Sequence, residues 1–270
     1  MTNNVDDFSV FIHDLLLFEL LPKESDSVSD IKERLAADGF VVVPNVLSDD
    51  CCNRYCDLVQ AAISENRNGC VSNSSSTFGV RNLTDAIPEV TELFQEKELR
   101  DLLEQLIGPE AFMVRGTLFD KTSSANWGVF WHQDLAIAVQ QRQQVQGFGG
   151  WTKKAGVVCC QPPSKVMNHI VAVRLHLDDC PRDNGALKVL RGSHNQGRIT
   201  EAAMGEVQLG FEEVICEVAR GGAVIMNPLL LHASSPKTVE GHRRVIHFEF
   251  TAQMLPDPLE WSYQIPLKPI

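Results

Sequence analysis

The 270-residue chain contains no run of lysine or arginine longer than two residues, and its formal net charge is −11. Nucleic acid and anionic membrane surfaces are therefore poor partners, because both need a positive patch to recover counterion and Coulomb energy. No apolar stretch is long enough to span a bilayer. The first residues, Met1 to Asp7, lack the basic region that opens a secretory signal. Val10 to Leu21 is apolar but carries His13, Asp14 and Glu19, and reads as an amphipathic helix packed on the core, within a helical extension over 1–28. Cysteine is too sparse for a disulfide scaffold: there are eight, and neither the Cys51, Cys52, Cys56 group nor the Cys159, Cys160 pair has C-x-x-C spacing. Reduced, mostly buried thiols and a cytoplasmic location follow, which leaves the sequons at Asn73 and Asn82 without meaning. No long period recurs, so repeat architectures are excluded.

The length suits one large domain, read here as 29–270. Ser29 to Ala37 reads as a helix ending at Asp38-Gly39, then a strand Phe40 to Val43, then a helix from Ser48 to about Asn66 capped by Ser48-Asp49-Asp50. Asn66 to Thr77 reads as a loop, and Pro88 to Ile107 as a third helix stopped by Gly108-Pro109. From Ala111 onward short β-type runs dominate: Phe112 to Lys121, Val129 to Leu135, Val157 to Cys160, Ile170 to Leu177, Leu187 to Leu190, Val214 to Val218, Ala223 to Met226 and Val245 to Phe250. Short strands with Gly/Pro punctuation predict a mainly β fold with flanking helices, a double-stranded β-helix of the jelly-roll, cupin-like kind, with its core at 111–252.

Chemistry concentrates in Trp131-His132-Gln133-Asp134. A strand sends residues i and i+2 to one face, so His132 and Asp134 offer an imidazole and a carboxylate to one point. His232, about a hundred residues on, completes the set. Two histidines and one carboxylate leave half of an octahedral iron(II) sphere open for a cosubstrate and dioxygen. After His232 come Ala233-Ser234-Ser235-Pro236, a polar turn ending in Gly241, and the run Arg243 to Phe250. This predicts a hairpin with the histidine on one arm and an arginine on the other, whose planar fork fits the distal carboxylate of a keto diacid. Periodicity does not choose between Arg243, which shares a face with Val245 and His247, and Arg244, which aligns with Ile246, Phe248 and Phe250.

These residues resemble the phytanoyl-CoA dioxygenase family of iron(II)/2-oxoglutarate oxygenases. The match comprises His132 and Asp134, His232 followed by x-Ser234, and Arg243 eleven positions after His232. Asp38-Gly39-Phe40 running to Pro44, and Asn184-Gly185-Ala186-Leu187 leading to Gly192-Ser193-His194, resemble further family motifs. The resemblance spans Ile31 to Phe250 and implies iron(II) on His132, Asp134 and His232, with 2-oxoglutarate and dioxygen as cosubstrates. It implies Arg243 and Ser234 on the far carboxylate, and hydroxylation of an unactivated C–H bond of a small molecule with release of succinate and carbon dioxide. The spacing by itself also admits a zinc-dependent hydrolase, or a catalytically silent metal-binding module on the same fold.

Other residues carry two readings each. Trp151, in the polar, glycine-rich stretch Gln140 to Lys165, either walls the cosubstrate or substrate pocket or anchors a long loop to the barrel. Arg81 either meets an anionic substrate or is salt-bridged, and Lys121 is a further candidate for either acid. His169, His176, His194 and His242 read as hydrogen-bonded structural histidines, while His247 points with Arg243 toward the metal's surroundings.

Overall fold

The structure is a computed structural model that describes residues 28–72 and 77–267. The expected Val10 to Leu21 helix and the sequon at Asn73 lie outside those residues. A helix over Val28–Asp38 ends at Gly39, and β1 (Phe40–Val43) follows at once. Gly39 has φ of +83°, and a Cβ there would lie 2.4 Å from Nδ1 of His194 and 2.8 Å from Leu230. Main-chain bonds hold this turn, Gly192 N–H to Asp38 C=O (2.7 Å) and Asn227 N–H to Gly39 C=O (2.9 Å). Gly39→Ala therefore combines a left-handed backbone penalty of roughly 1–2 kcal/mol with overpacking of about 1–3 kcal/mol. At about 2–4 °C per kcal/mol, thermal melting should show a loss of several degrees; an unchanged melting temperature would mean the turn relaxes freely.

Helix Asp49–Ser64 starts where Ser48 Oγ accepts from Cys51 N–H (3.2 Å), with Asp49 and Asp50 in its first turn. It buries Cys51, Cys52, Tyr55, Cys56, Val59 and Ala62. The expected third helix is two pieces, a 3-10 helix over Pro88–Gln95 and an α-helix over Lys97–Leu106, parted at Glu96 with ψ of 121°. The apolar stripe explains the break. After Phe94 a continuous helix would turn Lys97, Glu98 and Asp101 inward, and re-phasing at Glu96 returns Leu99, Leu102 and Leu103 to the core.

The expected loop between Asn66 and Thr77 contains β2 (Cys70–Ser72), which pairs with β3 (Thr77–Arg81). Next come β4 (Phe112–Lys121), β5 (Val129–His132), β6 (Ile137–Val139), β7 (Gly149–Lys154) and β8 (Val157–Gln161). Then follow β9 (Val171–His176), β10 (Leu187–Leu190), β11 (Glu213–Cys216), β12 (Ala223–Met226), β13 (His232–Ser234), β14 (Arg243–Thr251) and β15 (Ile265–Pro266). The Gln140 to Lys165 stretch is largely the β7/β8 hairpin and a short helix, Ser164–Met167. A helix over Glu201–Leu209, capped by Thr200, was not anticipated.

One sheet has the order β1-β12-β9-β14-β4-β3-β2 with β15 beside β4, a second has β11-β10-β13-β5, and a third β6-β8-β7. Ile246, Phe248 and Phe250 of β14, with Leu118, Val173 and Ile225, meet the helices on the outer face of the large sheet. The architecture is a double-stranded β-helix with flanking helices. One expectation fails: His232 and Arg243 do not sit on a hairpin. β13 lies between β10 and β5, and β14 between β9 and β4, so the chain crosses between sheets. The crossing segment contains Pro236, which has no N–H, and bonds sideways instead, Lys237 N–H to Asn126 Oδ1 (2.8 Å) and Thr238 N–H to Asp183 C=O (2.8 Å). No helix among the described residues is long and apolar enough to cross a membrane.

Candidate active site

His132 and His232 meet because β5 and β13 pair with these two residues directly opposite one another; their ring centroids are 4.1 Å apart. Each ring is set by the carbonyl two residues before it: the Nδ1–H of His132 donates to Phe130 C=O (2.8 Å) and that of His232 to Leu230 C=O (2.9 Å). Both Nε2 lone pairs are thereby left for a metal. Asp134 follows the end of β5, its N–H bonded to Pro228 C=O (2.9 Å). Its carboxylate lies 4.0 Å from His132 Nε2 and 3.6 Å from His232 Nε2. The intervening Gln133 points the other way, donating to Gly197 C=O and Leu229 C=O and accepting from Ile199 N–H, which pins the motif from behind. Burial alone would raise the Asp134 carboxyl, yet His232, His247, His132 and Arg115 outweigh it and hold it well below the usual carboxylate range. Burial pushes His232 down to about 4, so it is neutral at pH 7. Three donors that converge within 4.8 Å, two neutral imidazole nitrogens and one carboxylate oxygen, suit a divalent iron with open positions.

These residues border a cavity of about 200 Å³ between the large sheet and the β5/β13 strands. Its floor is a grid. Along β14 the inward residues are Arg243, Val245, His247 and Glu249, and their partners on β4 are Lys121, Phe119, Thr117 and Arg115. Arg174 of β9 stands opposite His247, and Arg81 of β3 opposite Thr117. Lys121 Nζ donates to Ser234 Oγ (2.9 Å) and Ser235 C=O (2.8 Å) and lies 5.5 Å from the centre of the Trp127 ring. Burial, then Arg243 and Arg174, push Lys121 down to about 7. Arg243 is 4 % exposed, its Nε has no partner, and no carboxylate pairs with it among the described residues. Arg244 turns away and forms a two-pronged bond with Asp178 (2.6 and 2.9 Å). A buried guanidinium without a counterion is costly, and a cosubstrate carboxylate meets that need.

The family model described as phytanoyl-CoA dioxygenase (PhyH) matches residues 35–245. The chain belongs to that family. It is a non-heme iron(II)/2-oxoglutarate-dependent oxygenase, with dioxygen as the second cosubstrate. An L-proline trans-4-hydroxylase of Streptomyces griseoviridis is 24% identical over 245 residues, covering 80% of this chain and 84% of the relative. The apo structure of EctD from S. alaskensis superposes with a TM-score of 0.66 at 16% identity, covering 88% of this chain and 82% of that one. The epimerase SnoN, in complex with Fe3+, alpha ketoglutarate and nogalamycin RO, gives 0.62 at 14% identity, covering 90% and 96%.

In this phytanoyl-CoA dioxygenase family member, Lys121, Ser234 and Arg243 come together at one end of the cavity, and Arg81 lines it further along, level with Thr117. Arg81 is exposed and has no ion pair among the described residues, against its salt-bridged reading. Trp151 does not line the cavity. It packs on the cluster around Ile137, Val139 and Cys160, with Arg142 5.8 Å from its ring centre, so it anchors the β7/β8 hairpin. His176 Nδ1–H donates to Arg174 C=O (3.0 Å), His194 pairs with Ala36 C=O (3.1 Å) and His242 with Asp120 (2.9 Å), so none of the three is a ligand. His247 is 3.9 Å from Asp134 and 3.6 Å from Glu249 through Nε2, while Arg174 donates to its Nδ1 (3.2 Å). Arginine only donates, so the Nε2 proton of His247 faces the carboxylates. The sequence reading passed over Arg174, Arg115, Glu249 and Lys154. The available signal was charged and polar residues at alternate positions of strands whose other face is mostly apolar, as with Arg174 and His176 in Val171–His176.

Proposed function

We propose that this enzyme hydroxylates an unactivated C–H bond of a small molecule in the cytoplasm, with His132, Asp134 and His232 as the iron ligands. The carrying observation is Arg243, a buried and unpaired cation facing the cavity of the histidine-carboxylate cluster. Arg243, Ser234 and Lys121 would hold the far carboxylate of 2-oxoglutarate, which fits the demand of two cations and a hydroxyl. Iron(II), when bound, would supply the redox chemistry by which dioxygen oxidises both 2-oxoglutarate, to succinate and carbon dioxide, and the substrate C–H bond, to an alcohol. The chain's own part is positional. The two Nδ1–H bonds fix the imidazoles, the His247 proton steadies the Asp134 carboxylate, and the sheets exclude water. The relative that acts on L-proline supports a small, polar substrate. A zinc hydrolase has no use for the Lys121/Arg243 end. Succinate release should require iron(II), 2-oxoglutarate and dioxygen together; zinc-supported hydrolysis without 2-oxoglutarate would overturn the assignment.

The Lys121 environment makes cosubstrate binding depend on pH. Lys121 faces Arg243, Arg174 and the Cys180 thiol, and it loses its proton as the pH rises through about 7. Only the protonated amine attracts a carboxylate, so 2-oxoglutarate affinity should fall from about pH 6 to about pH 8.5. Calorimetric titration across that range checks this, and Lys121→Met should flatten the slope; an equal slope in that variant would assign it to another group.

A further inference from the structure

The cavity has two charged ends, and the proposed cosubstrate accounts for only one. Arg243 and Lys121 form a pair at one end; six residues further along β14, about 20 Å at roughly 3.3 Å per residue, stands the Glu249 and Arg115 pair. The metal cluster lies between them, over His247. Arg81, which pairs with Thr117 one row short of Arg115, and Lys154 line the cavity and share a small recess with Arg115 and Thr117. They are brought together by a bond from Asn82 Nδ2 to Ala155 C=O (2.9 Å), which ties the residue after Arg81 to the residue after Lys154. Neither cation has an ion pair among the described residues, although the chain as a whole carries a net charge of −11. Two uncompensated cations converge here on a strongly acidic protein, so the charge is local and faces the reacting centre.

A second observation points to the same place. Glu249 is 2 % exposed; its Oε1 faces Arg115 (3.5 Å) and His247 (3.6 Å), while its Oε2 has no hydrogen-bond partner. A buried carboxylate oxygen without a donor is costly. Glu249 lines the cavity, and a small shift of its buried carboxylate would bring that oxygen to a donor on a bound molecule.

We propose that this end is the substrate's recognition site and that it takes a small carboxylic acid. Its carboxylate is held by Arg81 and Lys154, and an ammonium or hydroxyl group on the same molecule donates to Glu249 Oε2. The inference rests on the proposed placement of 2-oxoglutarate at Lys121 and Arg243, which leaves the opposite end free. The cavity, about 200 Å³ in all, falls below the roughly 300–1,000 Å³ of sites for drug-sized ligands, so the reacting part of the acid is small. Held at both poles, the substrate presents the carbon between them to the metal side of the cavity.

The test uses the full chain loaded with manganese(II) and 2-oxoglutarate, and reads melting temperature. The probes are the proteinogenic L-amino acids and short aliphatic hydroxy and dicarboxylic acids, each beside its methyl ester. At least one acid should stabilise the loaded enzyme where its ester does not. Arg81→Gln and Lys154→Gln should each weaken that acid by about ten- to a hundredfold, and Arg81→Lys should retain most of the affinity. Glu249→Gln should discriminate against acids that bear an amine. Both cations are exposed, so their variants should fold, which ligand-free melting verifies. Failure of manganese(II) and 2-oxoglutarate to stabilise the enzyme would sink the oxygenase site assignment, and this inference with it. If they stabilise it but no acid does, or ester and acid bind alike, or both glutamine variants bind the acid as the parent does, the inference alone is overturned.

Discussion

Asp134→Gly should empty the metal site while leaving the fold intact. Asp134 sits just beyond β5, its main chain is held by the Pro228 carbonyl, and the rings of His132 and His232 are fixed by their own local carbonyls. Removing the carboxylate therefore deletes one donor without releasing the other two. Losing a mere supporting hydrogen bond typically costs a metal site about 10–100-fold in affinity, so deleting a ligand should exceed that, and succinate release should collapse. Added chloride or azide should restore part of the iron content by filling the gap. Iron stoichiometry and succinate release, each with and without the anion, decide the matter. Full succinate production without added anion would remove Asp134 from the ligand set. His132→Ala and His232→Ala should lose iron equally but differ in stability, because the His232 side chain is 4% exposed and that of His132 39%. Only His232→Ala leaves a buried hole.

Arg243→Met should separate cosubstrate binding from stability. The charge-assisted bond to a carboxylate is worth about 1.5–3 kcal/mol, or about ten- to a hundredfold in 2-oxoglutarate affinity, and iron should stay bound. The ligand-free variant should melt higher than the parent. A buried guanidinium with an unpartnered Nε is replaced by an apolar side chain of similar length. Arg244→Met should do the reverse, because it breaks the paired bonds to Asp178 and Arg244 does not line the cavity. If Arg244→Met impairs 2-oxoglutarate binding and Arg243→Met does not, the inward face of β14 is misassigned.

The strands were legible where one face is apolar, and the histidine-carboxylate cluster where a candidate chemistry imposes a fixed spacing. Phe112–Lys121, Leu187–Leu190 and Ala223–Met226 fall where alternation and punctuation put them. Strand alternation suggested His132 and Asp134 as a pair, although β5 ends at His132 and Asp134 stands just beyond it, and the direct pairing of His132 with His232 depends on register between distant segments, which no local pattern encodes. The same limit explains the false hairpin. A short polar connection after His232 looks like a turn, and only the competing partners β10 and β5 reveal that the chain changes sheets. Arg243 and Arg244 could not be ranked by period because both faces of β14 are buried, one among helices and one in the cavity. Arg174 escaped notice because a single arginine within Val171–His176 reads as a strand defect, whereas here it is one square of a charged floor.

β5 is the outermost strand of its sheet, paired only with β13, and Phe130 within it is 93% exposed. Edge strands open locally at far lower free energy than the whole domain. His132 can thus swing free through a brief fraying event, while His232, clasped between β10 and β5, keeps its place. With His132 as a proposed iron ligand, metal exchange should be a matter of breathing at the four residues of β5, with a lifetime set by one strand rather than by global unfolding. Amide hydrogen exchange should show Val129–His132 slowing on metal addition well before the rest of the barrel responds.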